Sequence, residues 1–226
     1  MRNQEDRTTA ARRRMVETQI AARGVGDGRV LEAMIRVPRE LFVPEHLRER
    51  AFDDGPLPIG SGQTISQPYV VALMAEAAGI EPADRVLEIG TGSGYGAAIL
   101  GHLAERVVSV ERHADLAERA RARLAEAGCR NVEVVCGDGT LGWPQAAPFD
   151  AIVVTAAPPL RPRALVHQLE VGGRLIVPVG ADRHSQRLLC LTRTADGGCE
   201  EVDLGGVAFV PLVGEEGWGE DEGHGR

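Results

Sequence analysis

The sequence contains no lysine: its 25 Lys and Arg residues are all arginine. Catalysis through a lysine Schiff base and phosphate binding by a P-loop lysine are therefore excluded. The sequence also lacks any run of roughly 18 apolar residues, which a membrane-spanning helix requires. The first 14 residues are polar and mixed in charge, without the apolar core of a signal peptide, so a cytoplasmic location and no membrane partner are expected.

Cysteine spacings typical of metal or redox sites are missing too. No pair of the four cysteines shows CxxC spacing, and no histidine lies at metal-ligand spacing from them, so we expect reduced thiols and no metal. A net charge of −8 argues against a nucleic-acid partner, which selects for a basic face. The cysteines are Cys129, Cys136, Cys190 and Cys199.

The length of 226 residues fits a single domain. We predict a flexible N-terminal tail over 1–14, a single domain over 15–213, and a flexible acidic tail over 214–226. Within the domain, helical spacing and then a loop rich in proline and glycine predict a cap over 15–80, and its last helix begins near Pro68 and ends near Gly79.

The pattern changes after the cap to alternating strands and helices, which predicts an α/β fold with parallel strands and helical crossovers. A hairpin with its turn at Asp196-Gly197-Gly198 then follows. The predicted strands are Arg85–Ile89, Val107–Glu111, Val132–Cys136, Ala151–Thr155, Arg174–Val179, Arg187–Arg193, Glu200–Asp203 and Val207–Val213, and the helices between them are Tyr95–Leu103, Leu116–Ala127 and Arg163–Leu169.

A glycine-rich turn follows the first of these strands, with the sequence Gly90-Thr91-Gly92-Ser93-Gly94. Glycines allow close approach of the backbone to a ligand, and the next helix offers unpaired N–H groups at its N-terminus. Glu88, in the strand just before the turn, would repel a pyrophosphate and attract a cationic ligand. The turn therefore predicts a site for a nucleotide-like ligand with a positive charge.

Two more acidic residues lie at the end of the next strand and just after the one that follows it. Glu111 is placed to accept hydrogen bonds from ribose hydroxyls, and Asp138 could accept the exocyclic amino group of adenine. With Glu88, these acids favour adenosine with a cationic, amino-acid-like tail, which describes S-adenosyl-L-methionine. An alternative remains, because the spacing Gly92-x-Gly94-x-x-Ala97 also fits a dinucleotide fingerprint, and Glu111 suits both interpretations.

Several segments together resemble the protein-L-isoaspartate (D-aspartate) O-methyltransferase family over about residues 15 to 213. The most specific of them is the polar segment Gln63-Thr64-Ile65-Ser66-Gln67-Pro68. The others are Val37 to Pro44, Val86 to Tyr95, Gly137-Asp138-Gly139, Phe149 to Pro158, Gly172 to Gly180 and Phe209-Val210-Pro211-Leu212.

The resemblance implies a Rossmann-like class I methyltransferase fold, with a seven-stranded, mostly parallel sheet, an antiparallel last strand and extra N-terminal helices. It implies Ser66 as the catalytic residue, whereas the residues alone also allow Thr64 and Ser66 to be a helix cap before Pro68. The expected cofactor-binding residues are Gln63, Thr64, Ile65, Glu88, Gly90, Thr91, Gly92, Ser93, Gly94, Glu111, Arg112, Asp138 and Gly139.

The activity implied is methyl transfer from S-adenosyl-L-methionine to the free α-carboxylate of L-isoaspartyl residues in damaged proteins and peptides, by a monomer. An alternative is esterification of an aspartate in one dedicated peptide to form an aspartimide. More distant alternatives are a small-molecule methyltransferase and an inactive cofactor-binding module. The chain departs from the family at Val213 to Trp218, where the family's C-terminal segment helps to cover the substrate.

Overall fold

The computed structural model describes residues 2–182 and 185–219, with side chains from Arg7 onward. The α-helices are α1 (Arg2–Met15), α2 (Gly28–Arg36), α3 (Pro68–Ala78), α4 (Tyr95–Leu103), α5 (Ala114–Glu126) and α6 (Arg163–His167). The strands are β1 (Leu57–Gly60), β2 (Gln63–Ile65), β3 (Arg85–Ile89), β4 (Arg106–Glu111), β5 (Val132–Cys136), β6 (Phe149–Val154), β7 (Leu169–Val179), β8 (Gln186–Arg193) and β9 (Cys199–Val207).

Seven strands form one sheet in the order β5-β4-β3-β6-β7-β8-β9. The five strands from β3 to β7 pair in parallel, and β8 and β9 pair antiparallel with their neighbours. Strand order reverses between β4 and β6 on either side of β3, and ligands of open α/β sheets bind at the carboxyl ends of the strands at such a point. The α/β, Rossmann-like architecture with an antiparallel last strand is confirmed.

Alternate residues of the central strands supply two apolar cores, one on each face of the sheet. On β3, Val86 belongs to the core shared with the N-terminal helices, while Leu87 and Ile89 belong to the opposite core with α6. Both faces are covered, which explains why the strands are continuous apolar runs in the sequence. The site at the strand ends is therefore built on a rigid frame.

The N-terminal interval differs from the tail predicted over 1–14. Residues 2–15 form α1, and Arg12 near its end is 7% exposed. Its guanidinium donates to the carbonyl of Ile35 at 2.8 Å and pairs with Glu40 at 2.7 Å. These contacts anchor the helix to the rest of the cap, so the end of this interval is part of the fold and not a tail.

The strand predicted over Val207–Val213 is wrong, because β9 ends at Val207 and the chain then runs irregularly along the strand ends. Leu212 donates to the carbonyl of Ala157 at 2.9 Å, and Leu212 and Val213 are buried there. The apolar run does indicate burial, but it crosses the strand ends and pairs there only through an isolated bridge, between Ala157 and Pro211.

The tail predicted over 214–226 is also ordered in its first part. Trp218 donates its indole N–H to the carbonyl of Ala157 at 2.9 Å, and its backbone N–H bonds to the carbonyl of Leu212 at 2.8 Å. These bonds fold the segment 214–219 back onto the strand ends. Residues 220–226 lie outside the described residues.

A two-stranded hairpin of β1 and β2 stands in the stretch predicted to be irregular. Its turn contains Ser61, a non-glycine residue with φ of 51°. The Ser61 hydroxyl donates to Asp115 of α5 at 2.9 Å, and Asp115 also pairs with Arg119 at 2.9 Å. This hairpin carries Gln63 to Ile65 to the carboxyl ends of the central strands.

Candidate active site

The glycine turn adopts a conformation that larger residues could not share. Gly90, Gly92 and Gly94 all have positive φ, at 94°, 54° and 90°. A Cβ on Gly90 would lie 2.4 Å from the Thr155 hydroxyl, which itself donates to the Gly90 carbonyl at 2.6 Å. The turn thus ends β3 tightly and presents its backbone to the space above the sheet.

A buried hydrogen-bond chain lies directly below this turn. Ser109 of β4 donates to Glu88 at 2.5 Å, and the Ser109 and Thr91 hydroxyls are 2.5 Å apart. Glu88 is 1% exposed, and this burial raises its pKa to about 8, although the Ser109 bond opposes the shift and Glu111 adds to it. At neutral pH, Glu88 is therefore protonated. A cation bound next to it would stabilise the ionised form.

Glu111, at the end of β4, holds the turn from the other side. One carboxylate oxygen accepts from the Gly92 N–H at 2.8 Å, and the other accepts from the His113 N–H at 3.0 Å. A carboxylate has about four acceptor positions, so two remain for a ligand hydroxyl. Glu111 therefore shapes the turn as well as standing where a ribose contact was predicted.

Ser66 lies between β2 and α3 and lines the same cavity as Glu111. The N-cap of α3 is Gln67, which makes no side-chain cap bond, so the helix-cap interpretation of Thr64 and Ser66 is wrong. Pro68 stands at the first turn of α3, where its missing N–H costs nothing. Among the described residues, none hydrogen-bonds the Ser66 hydroxyl, which leaves it available to a ligand.

Asp138 is engaged by the protein itself. One carboxylate oxygen accepts from the Thr140 N–H at 2.8 Å, and the other accepts from the Glu215 N–H at 2.8 Å. Partial burial opposes ionisation, but the hydrogen bonds from Glu215 and Thr140 outweigh it and lower the pKa of Asp138. The predicted adenine acceptor is thus a carboxylate that also fastens the C-terminal segment to the site.

These elements enclose a cavity of about 270 Å³ at the carboxyl ends of β3, β4 and β6. All the predicted site residues line it except Gly94 and Asp138, which stand behind the lining. The lining residues among the predictions are Gln63, Thr64, Ile65, Ser66, Glu88, Gly90, Thr91, Gly92, Ser93, Glu111, Arg112 and Gly139.

Further lining residues were not expected from the sequence. His113 lines the cavity, and its buried Nε2 has no hydrogen-bond partner among the residues that the structure describes. Val210 to Val213 close another side of the cavity. The position of His113 two residues after Glu111, at the end of β4, was the signal available for finding it.

Other kinds of site find no support in the described part of the chain. No group of three or more His, Cys, Asp or Glu residues there could hold a metal ion, and all four cysteines are free. None of the helices found there has the length and hydrophobicity that crossing a bilayer requires.

The sheet order, the glycine turn after β3 and the acidic residue after β4 define the chain as a Rossmann-like methyltransferase. The sequence profile of the protein-L-isoaspartate(D-aspartate) O-methyltransferase family matches residues 10–217. The chain belongs to this family.

Curated relatives are similar over nearly the whole chain. The chain is 60% identical to protein-L-isoaspartate O-methyltransferase 2 of Marinobacter nauticus, over 92% of this chain and 94% of the relative. It is 59% identical to protein-L-isoaspartate O-methyltransferase of Methanoculleus marisnigri, over 92% of this chain and 93% of the relative. The match therefore includes the cap as well as the sheet.

Solved structures give the same assignment. One protein-L-isoaspartate O-methyltransferase superposes with a TM-score of 0.77 at 31% identity, covering 91% of this chain and 67% of the other. A protein from Plasmodium falciparum, described as the same enzyme in complex with S-adenosyl-L-homocysteine, also gives a TM-score of 0.77. It covers 89% of this chain and 98% of its own, and at 24% identity it supports the fold alone.

Proposed function

We propose that this protein transfers a methyl group from S-adenosyl-L-methionine to the free α-carboxylate of L-isoaspartyl residues in damaged proteins and peptides. The observation that carries the proposal is the unengaged Ser66 hydroxyl, which faces the same cavity as the glycine turn. The names of the relatives support the same reaction. The dinucleotide alternative is disfavoured, because the carboxyl group of Glu88 lies beneath the turn where a pyrophosphate would bind.

The lining of the cavity suits this cofactor. The glycine turn leaves room for close backbone contact: a Cβ on Gly92 would meet only Ile59, at 3.4 Å. The buried Nε2 of His113 has no hydrogen-bond partner among the described residues, so a ligand atom could bond to it. Glu88 is a buried carboxyl group whose ionised form a bound cation would stabilise. We assign the cofactor contacts to Gln63, Thr64, Ile65, Glu88, Gly90, Thr91, Gly92, Ser93, Gly94, Glu111, Arg112, Asp138 and Gly139.

The reaction places modest demands on the protein. The cofactor supplies an electrophilic methyl group on a sulfonium. The substrate carboxylate ordinarily titrates at about pH 4, so it is already ionised at neutral pH and needs no general base. Ser66 orients it through one neutral hydrogen bond, and the bound substrate and cofactor displace water from the cavity, so that catalysis is chiefly positioning and desolvation. We therefore assign Ser66 as the catalytic residue.

The ester product accounts for repair. A methyl ester at the α-carboxyl of an isoaspartyl residue is a better electrophile than the carboxylate, because it carries no charge and can release methanol. Attack by the next backbone nitrogen closes a succinimide and expels that methanol. Hydrolysis of the succinimide returns part of the material to normal aspartate.

We further propose that the protein acts as a cytoplasmic monomer that binds neither nucleic acid nor membranes. Four free cysteines fit a reducing compartment, and the net charge of −8 disfavours nucleic acid. The catalytic unit extends over 15–213, with 15–80 as its cap, and it uses the contacts of 214–219 with the sheet edge.

The experiment is methyl transfer from labelled S-adenosyl-L-methionine to two matched peptides, one with isoaspartate and one with aspartate. The transferred label is measured as base-labile methanol. Label on the isoaspartyl peptide alone supports repair. Label on neither peptide, with cofactor binding intact, would exclude general repair and favour a dedicated peptide or a small-molecule acceptor.

A further inference from the structure

Arg39 is a fully buried cation next to the proposed catalytic residue. Its side chain is 0% exposed, and no carboxylate pairs with it in the part of the chain that the structure describes. Its Nη2 donates to the Ser66 carbonyl at 2.7 Å, and its Nε donates to the Ala51 carbonyl at 2.7 Å. The guanidinium thus joins the Ser66 backbone to the loop before β1.

The same guanidinium reaches the other half of the site through Tyr95. Its central carbon lies 4.7 Å from the centroid of the Tyr95 ring, within the range of a cation–π contact. Tyr95 is the first residue of α4, directly after the glycine turn, and it lines the cavity. Arg39 therefore contacts the two elements whose relative position sets the distance between acceptor and cofactor.

This arrangement is costly for stability alone. A buried guanidinium without an anionic partner loses its hydration, and no described residue forms a hydrogen bond with Nη1. Burial also lowers the pKa of Arg39 from its ordinary value. An apolar side chain of similar volume would fill the space without this penalty, but it could not bind two carbonyls and a ring in one fixed plane.

We propose that Arg39 is a positioning residue for the methyl transfer, which fixes the Ser66 backbone relative to the glycine turn. This inference rests on the proposed function of Ser66. Displacement of a reacting group by about 1 Å can reduce a rate by about a hundredfold, so a residue that touches neither substrate nor cofactor can control turnover.

Two substitutions test the proposal. Arg39→Lys keeps the charge, but its single ammonium cannot reach both carbonyls at once, and Arg39→Met keeps only the volume. We expect kcat/KM for an isoaspartyl peptide to fall about tenfold in Arg39→Lys and about a hundredfold in Arg39→Met. The Kd of S-adenosyl-L-homocysteine, measured by calorimetry, should stay within about twofold in both. If Arg39→Met does not fold, the lysine variant decides alone.

Arg29 provides a matched control. It also donates to two backbone carbonyls, of Ile80 at 2.6 Å and Leu103 at 2.6 Å, but neither of these residues lines the cavity. We expect Arg29→Lys to leave kcat/KM within about twofold of the wild type. Wild-type kinetics in Arg39→Lys would overturn the proposal, as would a loss of S-adenosyl-L-homocysteine affinity equal to the loss of kcat/KM.

A second readout does not depend on activity. In Arg39→Lys, hydrogen exchange should become faster in the peptide that contains 63–67 and stay unchanged in the central strands of the sheet. Uniformly faster exchange would mean a general structural role and would overturn the inference. If the wild-type protein does not methylate the isoaspartyl peptide, the proposed function is wrong. The hydrogen-exchange rate at 63–67 in Arg39→Lys would still show whether Arg39 holds this segment in place.

Discussion

At the level of single residues, Ser66→Ala is the sharpest test of the chemistry. The alanine removes one hydroxyl that no described residue uses, so the fold should be unaffected. We expect kcat/KM for an isoaspartyl peptide to fall by about 10²-fold, the order that a lost orienting contact gives. The Kd of S-adenosyl-L-homocysteine should change by less than about twofold.

The control for this variant is Ser185→Ala, which removes an exposed hydroxyl from the loop between β7 and β8. Its kinetics should match the wild type. Weaker cofactor binding in Ser66→Ala, with kcat unchanged, would show that Ser66 supports the cofactor and not the acceptor.

The raised pKa of Glu88 predicts that the unfolding free energy of the protein depends on pH. Burial raises this pKa to about 8, while the unfolded carboxyl titrates near 4.5. Between these values the folded state binds one more proton, so this group makes the unfolding free energy fall by about 1.4 kcal/mol per pH unit as pH rises. The contribution is fully present below pH 4.5 and is lost by about pH 8.

Glu88→Gln removes this titration. The stability of the variant relative to the wild type should therefore increase from pH 5 to pH 8, as measured by urea unfolding. Glu133→Gln is the control, because Glu133 is an exposed partner of Arg106, and its pH profile should follow the wild type. Parallel profiles for Glu88→Gln and the wild type would contradict the raised pKa.

Residue types at strand ends could be predicted, but their partners could not. The glycine turn after β3, Glu111 at the end of β4 and Asp138 after β5 are local in sequence, since each lies at or next to the end of its strand. The contact of Asp138 with Glu215 joins residues 77 positions apart. Similarly, nothing in the sequence distinguishes Arg39 from a surface arginine, because only the fold brings Ser66 and Tyr95 around it.

At the level of elements, an exposed polar contact with α5 restrains the turn of the β1–β2 hairpin next to the cavity. Ser61 donates to Asp115, which Arg119 also pairs with. We expect Asp115→Ala to raise the dissociation rate of S-adenosyl-L-homocysteine by about two- to fivefold, because exposed ion pairs contribute little each. Stopped-flow displacement measures this rate. A rate equal to that of the Glu133→Gln control would show that the contact does not restrain the hairpin.

Three elements are predicted to the residue, namely β3, α4 and the edge strand β5. Each is a short segment bounded by a glycine turn or a change of pattern. The strand predicted over Val207–Val213 is wrong, because apolar residues of this run line the cavity and are buried at the strand ends. The pattern reports burial, and burial alone does not distinguish a strand from an irregular segment.

At the level of the whole molecule, the segment 214–219 supports the catalytic unit through contacts with residues at the strand ends. The backbone of Glu215 and Glu216 binds Asp138 and Thr140, and Trp218 binds Ala157. We expect a chain that ends at Val213 to lose most of its methyl transfer to an isoaspartyl peptide and to bind S-adenosyl-L-homocysteine more weakly.

A chain that ends at Gly219 is the control, because it keeps all these contacts. It should retain the kinetics and affinity of the full chain. Equal activity for all three lengths would show that the segment 214–219 covers the site without contributing to it.

Cofactor choice is a property of the whole molecule, since the cavity is built from the cap, the sheet and the C-terminal segment together. A ligand that binds only the folded state at 100 times its Kd stabilises the protein by about 2.7 kcal/mol. For a chain of this size, that corresponds to a Tm increase of roughly 5–10 °C. We expect S-adenosyl-L-homocysteine to give such an increase in thermal unfolding and NAD to give none. The buried carboxyl group of Glu88 is what discriminates, because it can ionise and pair with a bound cation, whereas a pyrophosphate gains no such pairing. Stabilisation by NAD alone would therefore contradict both the assigned cofactor and the role of Glu88.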